Sequence, residues 1–151
     1  MSIISSILNL FNRITEIKPF FVNYPDGTQK WYLNGKLHRE DGPAVITKFG
    51  TQKWYLNDKP HRTDGPAIIF PDGEQAWYLN GKIHREDGPA IISEDGIQEW
   101  YKNGELHRTD GPAVIYPDGT QKWYLNDKLH REYQKSKIDF KELKFTIKDG
   151  L

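Results

Sequence analysis

The residues best able to do chemistry in this chain are five histidines at one spacing, His38, His61, His84, His107 and His130, with 23 residues from each to the next. An arginine follows each one (Arg39, Arg62, Arg85, Arg108, Arg131), and Asp41, Asp64, Asp87 and Asp110 stand three places after the first four. Ahead of each lies a Trp-Tyr pair: Trp31-Tyr32, Trp54-Tyr55, Trp77-Tyr78, Trp100-Tyr101 and Trp123-Tyr124. Imidazole beside carboxylate is the chemistry of a general base or a metal ligand. Zinc gathers its ligands at ~2 Å around one point. Histidines spread along a regular array would have to lean together to supply that. Catalysis needs one asymmetric constellation with a pocket, whereas this one is copied with each repeat. No serine nucleophile motif or glycine-rich phosphate loop accompanies it. The expectation is therefore no metal, no cofactor and no catalytic residue, with each imidazole packed beside an aromatic ring and hydrogen-bonded to its nearby aspartate.

The elements that carry these residues follow from the repeat itself, since a fixed period dictates architecture. Its fullest statement is Trp31 to Ala44, Trp-Tyr-Leu-Asn-Gly-Lys-Leu-His-Arg-Glu-Asp-Gly-Pro-Ala. Pro25-Asp26-Gly27-Thr28 reads as a tight turn, with Pro presetting φ and Gly taking the positive-φ position. Thr28 to Leu33 reads as a strand, and Asn34-Gly35 as a type I′ hairpin turn. Lys36 to Arg39 starts the return strand, and Ala44 to Ile46 resumes it. The Asp-Gly-Pro step between them is expected to be a bulge or bend, because Pro removes a ladder donor. The turn Gly alternates with Asp58 and Asp127, which tolerates positive φ. Two strands per unit give ten or eleven strands in all. At ~4.8 Å per strand, equivalent residues stand about 10 Å apart in columns. The expected fold is mainly β: a single-layer twisted antiparallel β-meander of stacked hairpins.

Outside the repeat, residues 1–18 place Ile3, Ile4, Ile7, Leu8, Leu10, Phe11, Ile14 and Ile17 on one half of a helical wheel. That predicts an amphipathic helix capping the array. Its poor basic content disfavours a membrane-surface role, and it lacks the basic start and cleavage site of a secretory leader. Lys18-Pro19 ends it. The array occupies 19–132 as a half unit plus five units, and 133–151 reads as a second cap.

Composition sets outer bounds. The 151 residues suit one domain, and 21 basic against 21 acidic side chains give zero net charge. That balance supplies no pull toward nucleic acid. The absence of cysteine excludes disulfides and thiolate chemistry and fits a cytoplasmic setting. No apolar run approaches the ~20 residues of a membrane-spanning helix, so a soluble domain is expected.

The core Trp31…Asn34-Gly35-Lys36-Leu37-His38, recurring every 23 residues, resembles the MORN repeat over roughly residues 20 to 132. The pattern departs after the histidine, where Arg-Glu-Asp-Gly-Pro-Ala or Arg-Thr-Asp-Gly-Pro-Ala replaces the family's glycine-containing run. This variant looks like repeats of bacterial, phage and large-virus proteins. The resemblance implies binding or scaffolding: contact with a protein partner, dimerisation through a sheet end, or, in a second reading, a phospholipid surface. A small viral or phage effector acting in host cytoplasm fits the first. Partly exposed rings on a thin sheet mark a partner surface, so the binding residues are expected in the tyrosine column (Tyr32, Tyr55, Tyr78, Tyr101, Tyr124) and the arginine column (Arg39, Arg62, Arg85, Arg108). The Trp, His and Asp columns are expected to be structural.

Overall fold

The computed structural model describes residues 19–134, so the helix expected over 1–18 lies outside the described residues, as does all of the cap expected over 133–151 but its first two residues, of which Tyr133 ends a strand. Among the described residues there is no helix; the chain is a meander of antiparallel hairpins in an open sheet. The main sheet runs, in hydrogen-bonded order, through Phe20–Asn23, Gln29–Leu33, Val45–Ile46, Gln52–Lys53, Ile68–Ile69, Gln75–Ala76, Ile91–Ile92, Gln98–Glu99, Val114–Ile115, Gln121–Leu125 and Lys128–Tyr133. Sequence neighbours are sheet neighbours throughout, the order expected of a chain joined only by tight turns.

Each internal unit differs from the expected pair of strands, because each strand divides in two. Gln52–Lys53 pairs with Val45–Ile46 on one side and Ile68–Ile69 on the other, whereas Tyr55–Leu56 pairs only with Lys59–Pro60 in a separate hairpin. Trp54 sits at the junction. Its N–H donates to the Ala67 carbonyl at 2.8 Å, and its own carbonyl accepts from His61 N–H at 3.1 Å. The same switch of partner occurs at Trp77 and Trp100. The return strand breaks at Asp-Gly-Pro, as a missing ladder donor requires. In the last unit Glu132-Tyr133 replaces that step, and Lys128–Tyr133 runs on as a six-residue strand.

Both central residues of the Asn-Gly turns have positive φ, for example Asn34 at 54° and Gly35 at 73°, which defines type I′. Where Asp replaces Gly, Asp58 and Asp127 keep φ of 64° and 60°. Their carboxylates also reach the previous unit: Leu37 N–H donates to Asp58 and Leu106 N–H to Asp127, each at 2.7 Å. Gly81 faces Pro60, which has no N–H to offer.

The core is thin. Fully shielded positions are small, with Ala44, Ala67, Ala90 and Ala113 each at 0% exposure beneath the tryptophans whose N–H groups their carbonyls accept. No large side chain is completely buried among the described residues. Every tryptophan is half-buried. Stability must then come from the joints between units, as in other one-dimensional arrays.

Candidate functional site: the tryptophan face

The arginine of each unit lies on its tryptophan. The guanidinium carbon is 4.2 Å from the ring centroid for Arg39 over Trp31, and 4.1 Å for Arg62 over Trp54, Arg85 over Trp77 and Arg108 over Trp100. Its Nε donates to the aspartate two residues on at 2.7 or 2.8 Å (Asp41, Asp64, Asp87, Asp110). Its terminal nitrogen donates to the carbonyl of Pro43, Pro66, Pro89 or Pro112 at 3.2 to 3.3 Å. A planar fork that stacks and donates at once is what arginine supplies and lysine does not. The arginine is also why each aspartate carboxyl is held below its ordinary value, first through the hydrogen bond and then through its charge.

The outer side of the guanidinium is closed by glycine. A Cβ at Gly42, Gly65, Gly88 or Gly111 would come within 2.9 to 3.1 Å of the arginine Cζ. Trp, Arg and Gly form a three-layer stack. Arg131, whose unit lacks the Asp-Gly-Pro step, sits more loosely over Trp123 at 4.7 Å.

This arrangement corrects the expected His–Asp pairing. The aspartates belong to the arginines, and each histidine reaches the next unit instead. His38 Nδ1 receives the Asn57 backbone N–H at 3.3 Å, His61 that of Asn80 at 3.1 Å, and His84 that of Asn103 at 3.0 Å. The Asn side-chain carbonyl oxygens Oδ1 lie 2.9 to 3.1 Å from the same nitrogens. At His107 only the side-chain contact to Asn126 is made, at 2.8 Å. The backbone N–H calls for a lone pair on Nδ1, whereas Asn Oδ1 accepts from Nδ1 only when that nitrogen carries the proton, so the tautomer decides which of the two bonds is made. Nε2 of His38 faces Glu40 at 3.5 Å and that of His84 faces Glu86 at 3.8 Å. The imidazoles of His38, His61 and His84 therefore rivet neighbouring units together through the backbone of a positive-φ turn, and His107 does so through the Asn126 side chain. Among the described residues no group of three His, Cys, Asp or Glu is placed to hold a metal ion.

The tyrosines lie on the other side of the sheet. In the uninterrupted strand Gln29–Leu33, Phe20 stacks on Tyr32 and Phe21 packs on Trp31, one ring pair per face. Tyr32 shares a 3.0 Å hydrogen bond with Tyr24, which pushes its phenol up to about 12. Burial raises Tyr55 and Tyr101. No tyrosine of the column lines a cleft described here.

The clefts open on the tryptophan face, one at each of the first four units. The first is lined by Pro19, Trp31, Leu33, His38, Arg39, Glu40 and Asp41, with a volume of about 440 Å³. The second, about 470 Å³, has Trp54, Leu56 and His61 along one side and the Glu40-Asp41-Gly42-Pro43 loop along the other. The third, about 780 Å³, repeats this with Trp77, Leu79 and His84. In the fourth, about 790 Å³, Lys102 stands where the others have leucine. Sequence reading missed Leu33, Leu56, Leu79, Glu40 and Glu86 as lining residues. The signal available was the period-2 alternation that puts the leucine beside the tryptophan.

Comparison with protein-family models and with curated proteins gives no match.

Proposed function

We propose that this is a non-enzymatic, MORN-like β-repeat array, a single-layer twisted sheet that binds a protein partner along its tryptophan face. The observation that carries this reading is the row of clefts at a constant interval, each lined by an indole and charged side chains, the first three also by a leucine. Contiguous half-exposed aromatic surface of that kind marks an interaction site, and Trp and Arg dominate binding hot spots. The repetition that favours a long surface counts against a reactive centre, since four of the five imidazoles already serve joints between units. Cytoplasm, including host cytoplasm for a viral protein, is the compartment proposed with it.

Phospholipid binding through the leader and the basic columns is the competing reading. It has less support because the arginines are already committed to tryptophan, aspartate and proline carbonyl. Two experiments separate the readings. Leu56→Lys with Leu79→Lys should abolish capture of the partner from the source cell while leaving the fold intact, since Lys102 occupies the same position natively. Full-length protein should not sediment with anionic liposomes, whether or not residues 1–18 are present. Unchanged capture by the double variant, or liposome binding that depends on residues 1–18, would overturn the proposal.

A further inference from the structure

Resting on the protein-binding reading above, we propose that the partner segment is a left-handed polyproline II stretch carrying lysine or arginine at every sixth position. It would lie along the first three clefts, over Trp31, Trp54 and Trp77.

The interval selects the conformation. Each unit contributes two strands to the main sheet, and strands stand ~4.8 Å apart, so successive clefts repeat at about 9.6 Å. A bound segment must present equivalent side chains at that interval on one face. Polyproline II does so with three residues per turn at ~3.1 Å each, about 9.3 Å. An α-helix returns to the same face after seven residues at about 10.5 Å. An extended strand, with same-face residues two or four apart, offers about 6.6 or 13.2 Å. From the first cleft to the third the array advances about 19.2 Å, against about 18.6 Å for polyproline II and about 21 Å for the helix. The polyproline segment stays in register, and the helix slips by nearly 2 Å.

The surface chemistry agrees. Grooves lined by aromatic side chains are the common receptors for proline-rich segments, whose preformed backbone loses little entropy on binding. Trp31 with Leu33, Trp54 with Leu56, and Trp77 with Leu79 give three such floors.

The rim sets the charge. Asp41, Asp64 and Asp87 are each bonded to an arginine. Glu40 and Glu86, 84% and 79% exposed at the side chain, have only a histidine nearby and no Lys or Arg partner among the described residues. Thr63 stands between them at the equivalent position. The uncompensated charges are thus two units apart, about 19 Å, which is six polyproline residues at about 18.6 Å. Lys102 in the fourth cleft repels a cationic segment and ends the site there.

The test uses the full chain, 15N-labelled, with its five indole N–H signals as reporters of each rung. The probe is a capped twelve-residue peptide, two copies of Pro-Pro-Lys-Pro-Pro-Gln. A second peptide of equal composition carries its lysines five residues apart, which turns them to different faces of the helix. The expected result is saturable shifts at Trp31, Trp54 and Trp77 that leave Trp123 unmoved. Binding should be at least about fivefold weaker for the five-spaced peptide and about threefold to tenfold weaker for Glu40→Gln with Glu86→Gln. Leu56→Lys with Leu79→Lys should weaken it by about tenfold or more with an unchanged urea midpoint.

Several results would overturn the inference: no saturable shift at millimolar peptide, equal binding of both spacings, or the same indoles answering instead to a helical peptide with heptad-spaced leucines. If the proline peptide fails while Leu56→Lys with Leu79→Lys still abolishes partner capture, the binding face stands and the polyproline assignment falls.

Discussion

Replacing Gly88 by alanine tests the Trp–Arg–Gly stack at one atom. The φ of Gly88 lies outside the left-handed region, so the substitution carries no backbone strain, and in open space it would stabilise by about 0.4–1 kcal/mol through the unfolded chain. Here the new Cβ would stand 2.9 Å from Arg85 Cζ and 3.1 Å from a terminal nitrogen. The ring is held by the sheet, so the guanidinium must leave Trp77 and loosen its own bonds to Asp87 and Pro89. Losing a partly desolvated cation–π pair costs about 1–2 kcal/mol. The net expected effect of Gly88→Ala is a destabilisation of about 1 kcal/mol. In an Arg85→Ala background nothing opposes the Cβ, and the same change should stabilise by about 0.4–1 kcal/mol. The coupling between the two sites is then the lost pair itself, about 1–2 kcal/mol, above the scatter of independent mutations. Urea denaturation of the four proteins, with slopes compared because arrays can lose cooperativity, measures it. Equal effects of Gly88→Ala in both backgrounds, within about 0.5 kcal/mol, would refute the stack as a joint.

The turn that joins units gives a paired prediction. Gly104→Asp can accept the Ile83 N–H as Asp58 accepts that of Leu37, and should stay within about 0.5 kcal/mol of wild type. Gly81→Asp faces Pro60, gains nothing, and should lose about 1 kcal/mol to left-handed strain; urea midpoints separate the two. In acid, the aspartates held low by their arginines contribute stability that is complete above the ordinary value of 3.8 and lost as pH falls through their lowered values. The urea midpoint should drop below about pH 4, and the drop should shrink when Asp64 and Asp87 are changed to Asn. At the alkaline end, Tyr32 is raised from 10.0 to about 12, so its contribution is complete below pH 10 and lost between 10 and 12. Tyr24→Phe should bring the Tyr32 ultraviolet titration back toward 10.

The period and the turn chemistry were open to reading because each is local. Asn-Gly calls for type I′ wherever it occurs between strand-forming residues, and a proline in a return strand breaks the ladder. The open antiparallel meander follows from those two facts. The division of each strand at tryptophan was not legible. It depends on Trp54 taking Ala67 as its backbone partner while Tyr55 stays with Pro60, a choice made by neighbouring units. The histidine partner was misread for a related reason. Asp41 is near His38 in sequence, but Arg39 is nearer in charge, and the true partner, Asn57, lies 19 residues on in another unit. One clue to that joint was present: the unit with Pro60 in place of leucine is followed by Gly81, not Asp, where the N–H to be accepted is missing. The tyrosine and arginine columns looked like the surface because rings and charges suggest contact. In the structure the arginines stack on the tryptophans and also line the clefts, where the leucines join them.

Adjacent residues of one strand face opposite sides, so a photocrosslinker can ask directly which face meets the partner. Benzophenone side chains placed singly at positions 55, 56, 78 and 79 of the full-length protein would be irradiated in the source cell. The tryptophan face as binding surface predicts one covalent adduct shared by positions 56 and 79 and absent from 55 and 78. An adduct formed from the tyrosine positions and not from the leucine positions would contradict it.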